Sequence, residues 1–192
     1  ARALEAPELR PLSGLARTLV GVVTGEKNYF LLPEGETRRL AIPDEYFVTA
    51  LSTPAQLAGT SFSTADADAL AAGGNACRLL QVPKDYAGGC SPLDAYLARG
   101  RERRLDQNYK CRTRKPWYAV CRQLPPPDAF LGYLVKRRPR LAANPTGVHS
   151  TNNLHRLYFL KPVPGGARLL AAAALNAATM FSAELLGRIS AG

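Results

Sequence analysis

No apolar run in this chain approaches the ~20 residues that span a bilayer. Its 192 residues hold two histidines, one methionine and one tryptophan, and no two cysteines stand at C-x-x-C spacing. The first absence argues against a membrane helix. The longest apolar stretch, near Leu169–Leu175, is alanine-rich and interrupted by Asn176, which suits a packed helix. Cys77, Cys90, Cys111 and Cys121 form no finger pattern with His149 and His155, so no metal is expected. Free, mostly buried thiols in a reducing cytoplasm are expected instead. G-x-G-x-x-G and the P-loop are missing, which removes the usual signatures of a nucleotide fold. There is no G-x-S-x-G elbow, no local Cys-His signature, and no pair of carboxylates in the charged region. No charged-then-apolar leader opens the sequence, and its start at Ala1 leads us to expect a piece of a longer protein.

What is present is a concentration of positive charge. Between Arg99 and Arg140 lie 13 basic residues against Glu102, Asp106 and Asp128, a net of +10 that equals the charge of the whole chain. Outside the window, 12 basic and 12 acidic residues cancel. The excess sits beside Tyr109, Trp117, Tyr118 and Tyr133. Such clustering points to a polyanionic partner, nucleic acid first among them. With 46 % hydrophobic residues the chain can bury a core of its own.

The pattern along the chain predicts an α+β fold, with a largely antiparallel sheet, small helices and a helical C-terminal end. Leu19–Val23 reads as a strand broken at Thr24-Gly25, with Gly25 at positive φ. Asn28–Leu32 resumes as extended chain, and residues 33–45 read as polar loop. Ser63-Thr64 with Asp66 and Asp68 predicts a helix start, and Gly73-Gly74 its end. Arg78–Val82 is a strand candidate. Ser91-Pro92 predicts a second helix start, with Leu93, Tyr96 and Leu97 on one face and Gly100 closing it. Trp117–Cys121, Phe130–Val135 and Leu154–Leu160 read as strands, and Pro125-Pro126-Pro127 as a rigid connector. Pro164-Gly165-Gly166 predicts a turn, followed from Ala167 by two helices meeting near Asn176.

In an extended segment Arg112 and Arg114 point to one face and reach one groove together. Arginine forks match guanine edges or phosphate oxygens, with Lys115 adding point charge. Lys136-Arg137-Arg138-Pro139-Arg140 is a second basic cluster. It is followed by Asn144, His149, Ser150, Thr151, Asn152 and Asn153, whose neutral donors and acceptors suit phosphates and base edges. Solvated charges over a core Trp117 and Tyr118, and ordinary turn chemistry for the Asn/Ser/Thr group, are the plainer readings. An RNA or single-stranded nucleic-acid module, stacking bases on Trp117 and Tyr118, stays open. So does a thiol enzyme pairing Cys111 or Cys121 with His149 or His155. Asn144-Pro145-Thr146-Gly147 begins like the Asn-Pro-Pro-aromatic loop of amino-methylating enzymes but lacks the aromatic residue that would stack on a target base.

Several segments taken in order are similar to a known family. Gly21-Val22-Val23-Thr24-Gly25 and Tyr29-Phe30-Leu31-Leu32 are similar to a G-[IV]-x-T-G…F-F-x-L opening, and Cys111–Tyr118 to an R-x-x-W-Y element. Pro139-Arg140-Leu141, Asn144 and Thr151–Tyr158 are similar to the segment that follows. Leu175-Asn176, Ser182–Leu185 and Gly187-Arg188 are similar to an L-N-S…E-x-x-G-R ending. On these motifs the chain resembles the C-terminal target recognition domain of bacterial adenine-specific DNA methyltransferases of restriction-modification systems. Lys27 stands where that family often has Asn, Ala177 where Ser is usual, and the glycine-rich tail is cut short. The resemblance implies one domain over 1–192, with 167–192 a helical subregion. It implies that the chain grips duplex DNA for a catalytic domain that methylates adenine at N6, and has no catalytic residue of its own. S-adenosylmethionine is then expected in that missing domain and no cofactor here. The residues implied for DNA are Lys27, Asn28, Arg112, Arg114, Lys115, Trp117, Tyr118, Lys136, Arg137, Arg138, Asn144, His149, Thr151, Asn152 and Asn153.

Overall fold

A computed structural model describes residues 12–120, 124–133 and 140–176. In chain order the strands are β1 (Ala16–Val20), β2 (Leu31–Pro33), β3 (Phe47–Leu51), β4 (Ala76–Leu80), β5 (Ala129–Gly132), β6 (Leu141–Ala143), β7 (His149–Ser150) and β8 (Leu154–Phe159). The helices are α1 (Lys27–Phe30), α2 (Glu34–Leu40), α3 (Thr64–Ala72), α4 (Ser91–Glu102), α5 (Tyr109–Arg112) and α6 (Gly166–Ala173). One sheet has the order β1-β8-β5-β6 and is antiparallel at every pairing. The other runs β2-β4-β3-β7, antiparallel except where β7 lies parallel to β3. The α+β expectation is therefore met, with two sheets in place of one.

The sheets are stitched together between β7 and β8. Thr151 N donates to Leu51 O at 2.8 Å, and Leu154 N closes a tight turn onto Thr151 O at 3.0 Å. One core gathers Tyr29, Phe30, Leu79, Leu93, Leu97, Trp117 and Tyr118 under α4. A second holds Leu51, Phe62, Leu70, Phe130 and Leu154, and a third places Ala16, Ala129 and Leu157 under α6. Among the described residues no helix is long and apolar enough to cross a membrane.

Local chemistry explains where the expectations held. Ser63 caps α3 as its spacing predicts: Ser63 N donates to Asp66 Oδ2 at 2.7 Å and Asp66 N to Ser63 Oγ at 3.2 Å. The helix ends at Gly73, as expected. The residues after Ser91-Pro92 form α4 with Leu93, Tyr96 and Leu97 buried together, although Cys90 is the capping residue. Gly25 takes φ +86°. The strand expected at Leu154–Leu160 is β8, and the helix expected from Ala167 is α6. The second C-terminal helix falls outside the described residues. Cys77 and Cys111 are buried free thiols and Cys90 is half-buried, while Cys121 lies outside the described residues.

Four expectations are corrected. The polar loop at 33–45 contains α2. Its acids, Glu34 and Glu36, stand in the first turn and its bases, Arg38 and Arg39, in the last, where both suit the helix dipole. Glu34–Arg38 and Glu36–Arg39 ion pairs add side-chain support. The extended reading of Asn28–Leu32 holds only from Leu31. Tyr29 and Phe30 close a single helical turn instead, their N–H groups donating to Glu26 O at 3.3 and 3.2 Å. Trp117–Val120 is irregular chain, not a strand, and all four residues are buried. Finally, α4 does not close at Gly100 but continues to Glu102.

Candidate nucleic-acid interface

Residues 21–28 organise the site. Gly21 has no room for a side chain: a Cβ there would lie 2.1 Å from Thr151 O and 2.6 Å from Leu154 O. Gly21 N donates to Leu154 O at 3.1 Å and Val22 N to Ser150 O at 2.7 Å, while Asn152 N donates to Val22 O at 3.1 Å. The chain then turns at Thr24-Gly25 and comes down on α5, where a Gly25 Cβ would stand 3.0 Å from Lys110 Cβ and Cys111 Sγ. The Arg114 guanidinium clips this turn, with Nη1 donating to Thr24 O at 2.8 Å and Nη2 to Val23 O. Three stretches far apart in sequence thus meet around one turn: 21–25, 110–114 and 150–154.

The surface around that turn is basic. Lys27 and Asn28 are exposed at the start of α1, and Lys110, Arg112 and Lys115 are exposed on and after α5. Tyr109 is 65 % exposed. Lys110 Nζ lies 5.2 Å and Arg112 Cζ 5.6 Å from the centre of its ring. On the other side of Asn28, Arg99 Cζ sits 5.4 Å over Tyr96 and Arg103 Cζ 6.0 Å over Tyr29. These two arginines line a groove of about 420 Å³ with Asn28, Glu36 and Arg39. The ion pairs among the described residues are Glu34–Arg38, Glu36–Arg39 and Asp44–Arg78, so no carboxylate among them forms an ion pair with Arg99, Arg103, Lys110 or Arg112. The Arg39 fork, aided by Arg99, holds the Glu36 carboxyl below its ordinary value.

The remaining sequence candidates separate by burial. Arg112 ends α5 and Arg114 follows it, so the alternating extended placement is corrected: Arg112 faces solvent and Arg114 turns inward to the loop. Trp117 and Tyr118 are 8 % and 7 % exposed and pack in the first core, so neither offers its ring face to a base. Their plainer core reading is the one the structure supports, and a single-stranded stacking module loses its platform. Asn144 is also buried. Its amide donates to Pro127 O at 2.8 Å and Val148 O at 2.9 Å, and its Oδ1 accepts from Val148 N at 3.2 Å. That is turn chemistry, and it leaves the Asn144-Pro145 segment no free amide to hold a target amino group. Thr151 is buried at the sheet junction, while Asn152 and Asn153 are exposed, Asn152 N donating to Val22 O. Asn153 Nδ2 donates to Ser52 O at 3.0 Å. His149 is half-buried, and burial followed by the nearby Arg156 charge pulls its pKa below 6.5. Lys136, Arg137 and Arg138 lie outside the described residues. Arg140 is directed to Leu57 O, away from the turn.

The thiol-enzyme reading finds no support at Cys111. Its Sγ is 4.0 Å from both Thr24 O and Arg114 Nη1, with no histidine partner, and burial pushes its pKa up. Among the described residues no group of three His, Cys, Asp or Glu side chains is placed to hold a metal. Sequence reasoning did not single out Arg39, Arg99 and Arg103 as site residues. The i, i+4 spacing of Arg99 and Arg103 was a usable signal once α4 was extended past Gly100. Arg39 carried none, because its segment reads as loop.

The family model for the C-terminal domain of the type II methyltransferase M.Eco57I matches residues 1–192. No curated protein matches the chain in sequence. Among solved structures, the type IIG restriction endonuclease BpuSI is similar, with a TM-score of 0.52 at 14 % identity. The match covers 88 % of this chain and 20 % of that one, so this chain spans about a fifth of that enzyme's length. At that identity the likeness is one of fold.

Proposed function

The chain belongs to the M.Eco57I C-terminal domain family of type II methyltransferases, and from that membership we propose that it recognises double-stranded DNA, sequence-specifically, for an adenine-N6 methyltransferase of a restriction-modification system. Residues 1–192 act as one recognition domain in this reading and work in the cytoplasm, where the DNA is. The observation that carries it is the convergence of 21–25, 110–114 and 150–154 around one turn, flanked by Lys110, Arg112, Arg99 and Arg103, none of which forms an ion pair among the described residues. Cations at the edges of that surface suit the phosphate backbone, which positions a duplex without reading it. Arg112 and the exposed amide of Asn152 suit base edges, whereas the Asn153 amide is engaged with Ser52 O.

Methylating an exocyclic amine requires the base to leave the stack, which costs a few kcal/mol. A recognition surface contributes by holding the flanking duplex while that happens. In this reading S-adenosylmethionine, the methyl donor, belongs to a catalytic domain outside this chain, and the Asn144 amide, engaged in its own turn, holds no target base. This chain's residues bind and orient, and they transfer no group.

Gel-shift titration of the chain with duplex DNA, single strands and structured RNA, each at several salt concentrations, tests the reading. Duplex is expected to win, with affinity falling steeply as salt rises. Arg112→Ala is expected to cost about 1–3 kcal/mol on the preferred site and to relax its preference. Preference for single strands or RNA, or binding indifferent to salt, would overturn it.

A further inference from the structure

The groove beneath the end of α4 meets the 21–28 segment only at Asn28. Its floor is a pair of tyrosines locked against each other. The Tyr29 and Tyr96 rings stack at 4.5 Å between centres and 14° between planes. Each hydroxyl donates to the other residue's main-chain carbonyl at 2.8 Å, so neither phenol is available to a ligand. Over these rings lie Arg99, in the last turn of α4, and Arg103, its C-cap four residues on, whose N–H donates to Arg99 O. Like charges at that spacing repel on a helix, and no carboxylate among the described residues pairs with either. The third guanidinium, Arg39, is held by Glu36 through bonds of 3.0 and 2.6 Å. The groove therefore presents three guanidiniums and one carboxylate, with the Asn28 amide on its rim. Its donors are forks matched to phosphate oxygens, and it has no buried acceptor with which to tell one base from another.

We propose that the groove lined by Arg39, Arg99 and Arg103 is a phosphate clamp that takes one or two backbone phosphates of duplex DNA and contributes grip without sequence preference. The proposal rests on the functional reading above and deepens it by separating the gripping surface from the reading surface. Arg99 and Arg103 each release a counterion on binding. Removing both therefore lowers the slope of log affinity against log salt by about 2, at roughly 0.9 per contact. The clamp weakens preferred and unrelated duplexes by the same factor and leaves their ratio unchanged.

The test is the full chain and its Arg99→Gln/Arg103→Gln variant, titrated with preferred and unrelated duplexes across a salt series. Circular dichroism confirms that both are folded. Arg99→Lys/Arg103→Lys keeps the charge and is expected to keep most of the slope. The single variants Arg99→Gln and Arg103→Gln are each expected to lose about half of the double variant's effect. Inorganic phosphate added at constant ionic strength is expected to compete only weakly, as suits one phosphate of a polymer; binding of free phosphate as tight as that of duplex would overturn the assignment to DNA. A double variant that keeps the wild-type slope, or that changes the ratio between sequences, overturns the clamp while leaving duplex recognition standing. A wild-type chain that binds no duplex at any salt overturns both.

Discussion

Gly100 sits inside α4, where alanine is ordinarily better by about 1 kcal/mol, yet a Cβ there would meet Trp117 Cη2 and Tyr29 Oη at 2.5 Å each. Gly100→Ala is therefore expected to lower stability, by about 1–3 kcal/mol as in overpacked cores. Urea denaturation checks this, and an unchanged or raised midpoint would refute the close approach. Arg156 poses the opposite case. It is 4 % exposed, its Nε has no hydrogen-bond partner, and it has no carboxylate among the described residues. A buried charge so placed costs stability, so Arg156→Met is expected to raise the denaturation midpoint; a lower one would show that the charge has a stabilising role. Arg156 also helps to keep His149 neutral. Because the folded pKa of His149 is depressed, its contribution is intact above about 6.5 and declines as pH falls toward the folded value. Melting temperatures between pH 7 and pH 5 are expected to fall less in His149→Gln than in the wild type, and parallel curves would contradict this. At this scale the sequence was least legible. Gly100 reads as a helix stop because its packing partners stand 71 residues back and 17 ahead. Arg156 in an alternating strand gives no sign that its face is covered.

At the scale of elements, the decisive piece is the clip from Arg114 to the 23–25 turn. Arg114→Ala removes charged hydrogen bonds worth about 1.5–3 kcal/mol each when fully buried, less at this half-buried site. The expected result is faster hydrogen exchange at the amides of residues 23–25 and weaker binding to every duplex. Lysine at 114 cannot fork to both carbonyls and is expected to restore little. Unchanged exchange in Arg114→Ala would show that the turn is held by its Gly21 and Gly25 contacts alone. Elements with strong local chemistry were legible: the Ser63–Asp66 cap, the α4 face and the β8 strand stand where their patterns place them, although β8 buries Arg156, Leu157 and Tyr158 in succession. α2 was not, because seven mostly polar residues carry no apolar period. Its helix signal lies in charge order, acids first and bases last. Trp117–Val120 was misread for a related reason: β-favouring residues in a row are also what a fully buried irregular segment contains.

Across the whole molecule, the charge window was legible as a quantity but not as a shape. Of its 13 bases, those among the described residues divide between a groove at the end of α4, a ridge at α5 and positions directed elsewhere, such as Arg114 and Arg140. Folding also turns Trp117 and Tyr118 inward and brings Arg39 in from outside the window. The central claim is that duplex DNA lies along the turn at 21–28 and the basic surface from Arg99 to Lys115. Hydrogen exchange of the full chain with and without duplex DNA tests it most directly. Protection concentrated in 21–28, 99–115 and 150–154 is the result the account predicts. Protection confined to the groove lined by Pro126–Asp128 and Lys161–Arg168, with 99–115 unaffected, would contradict it.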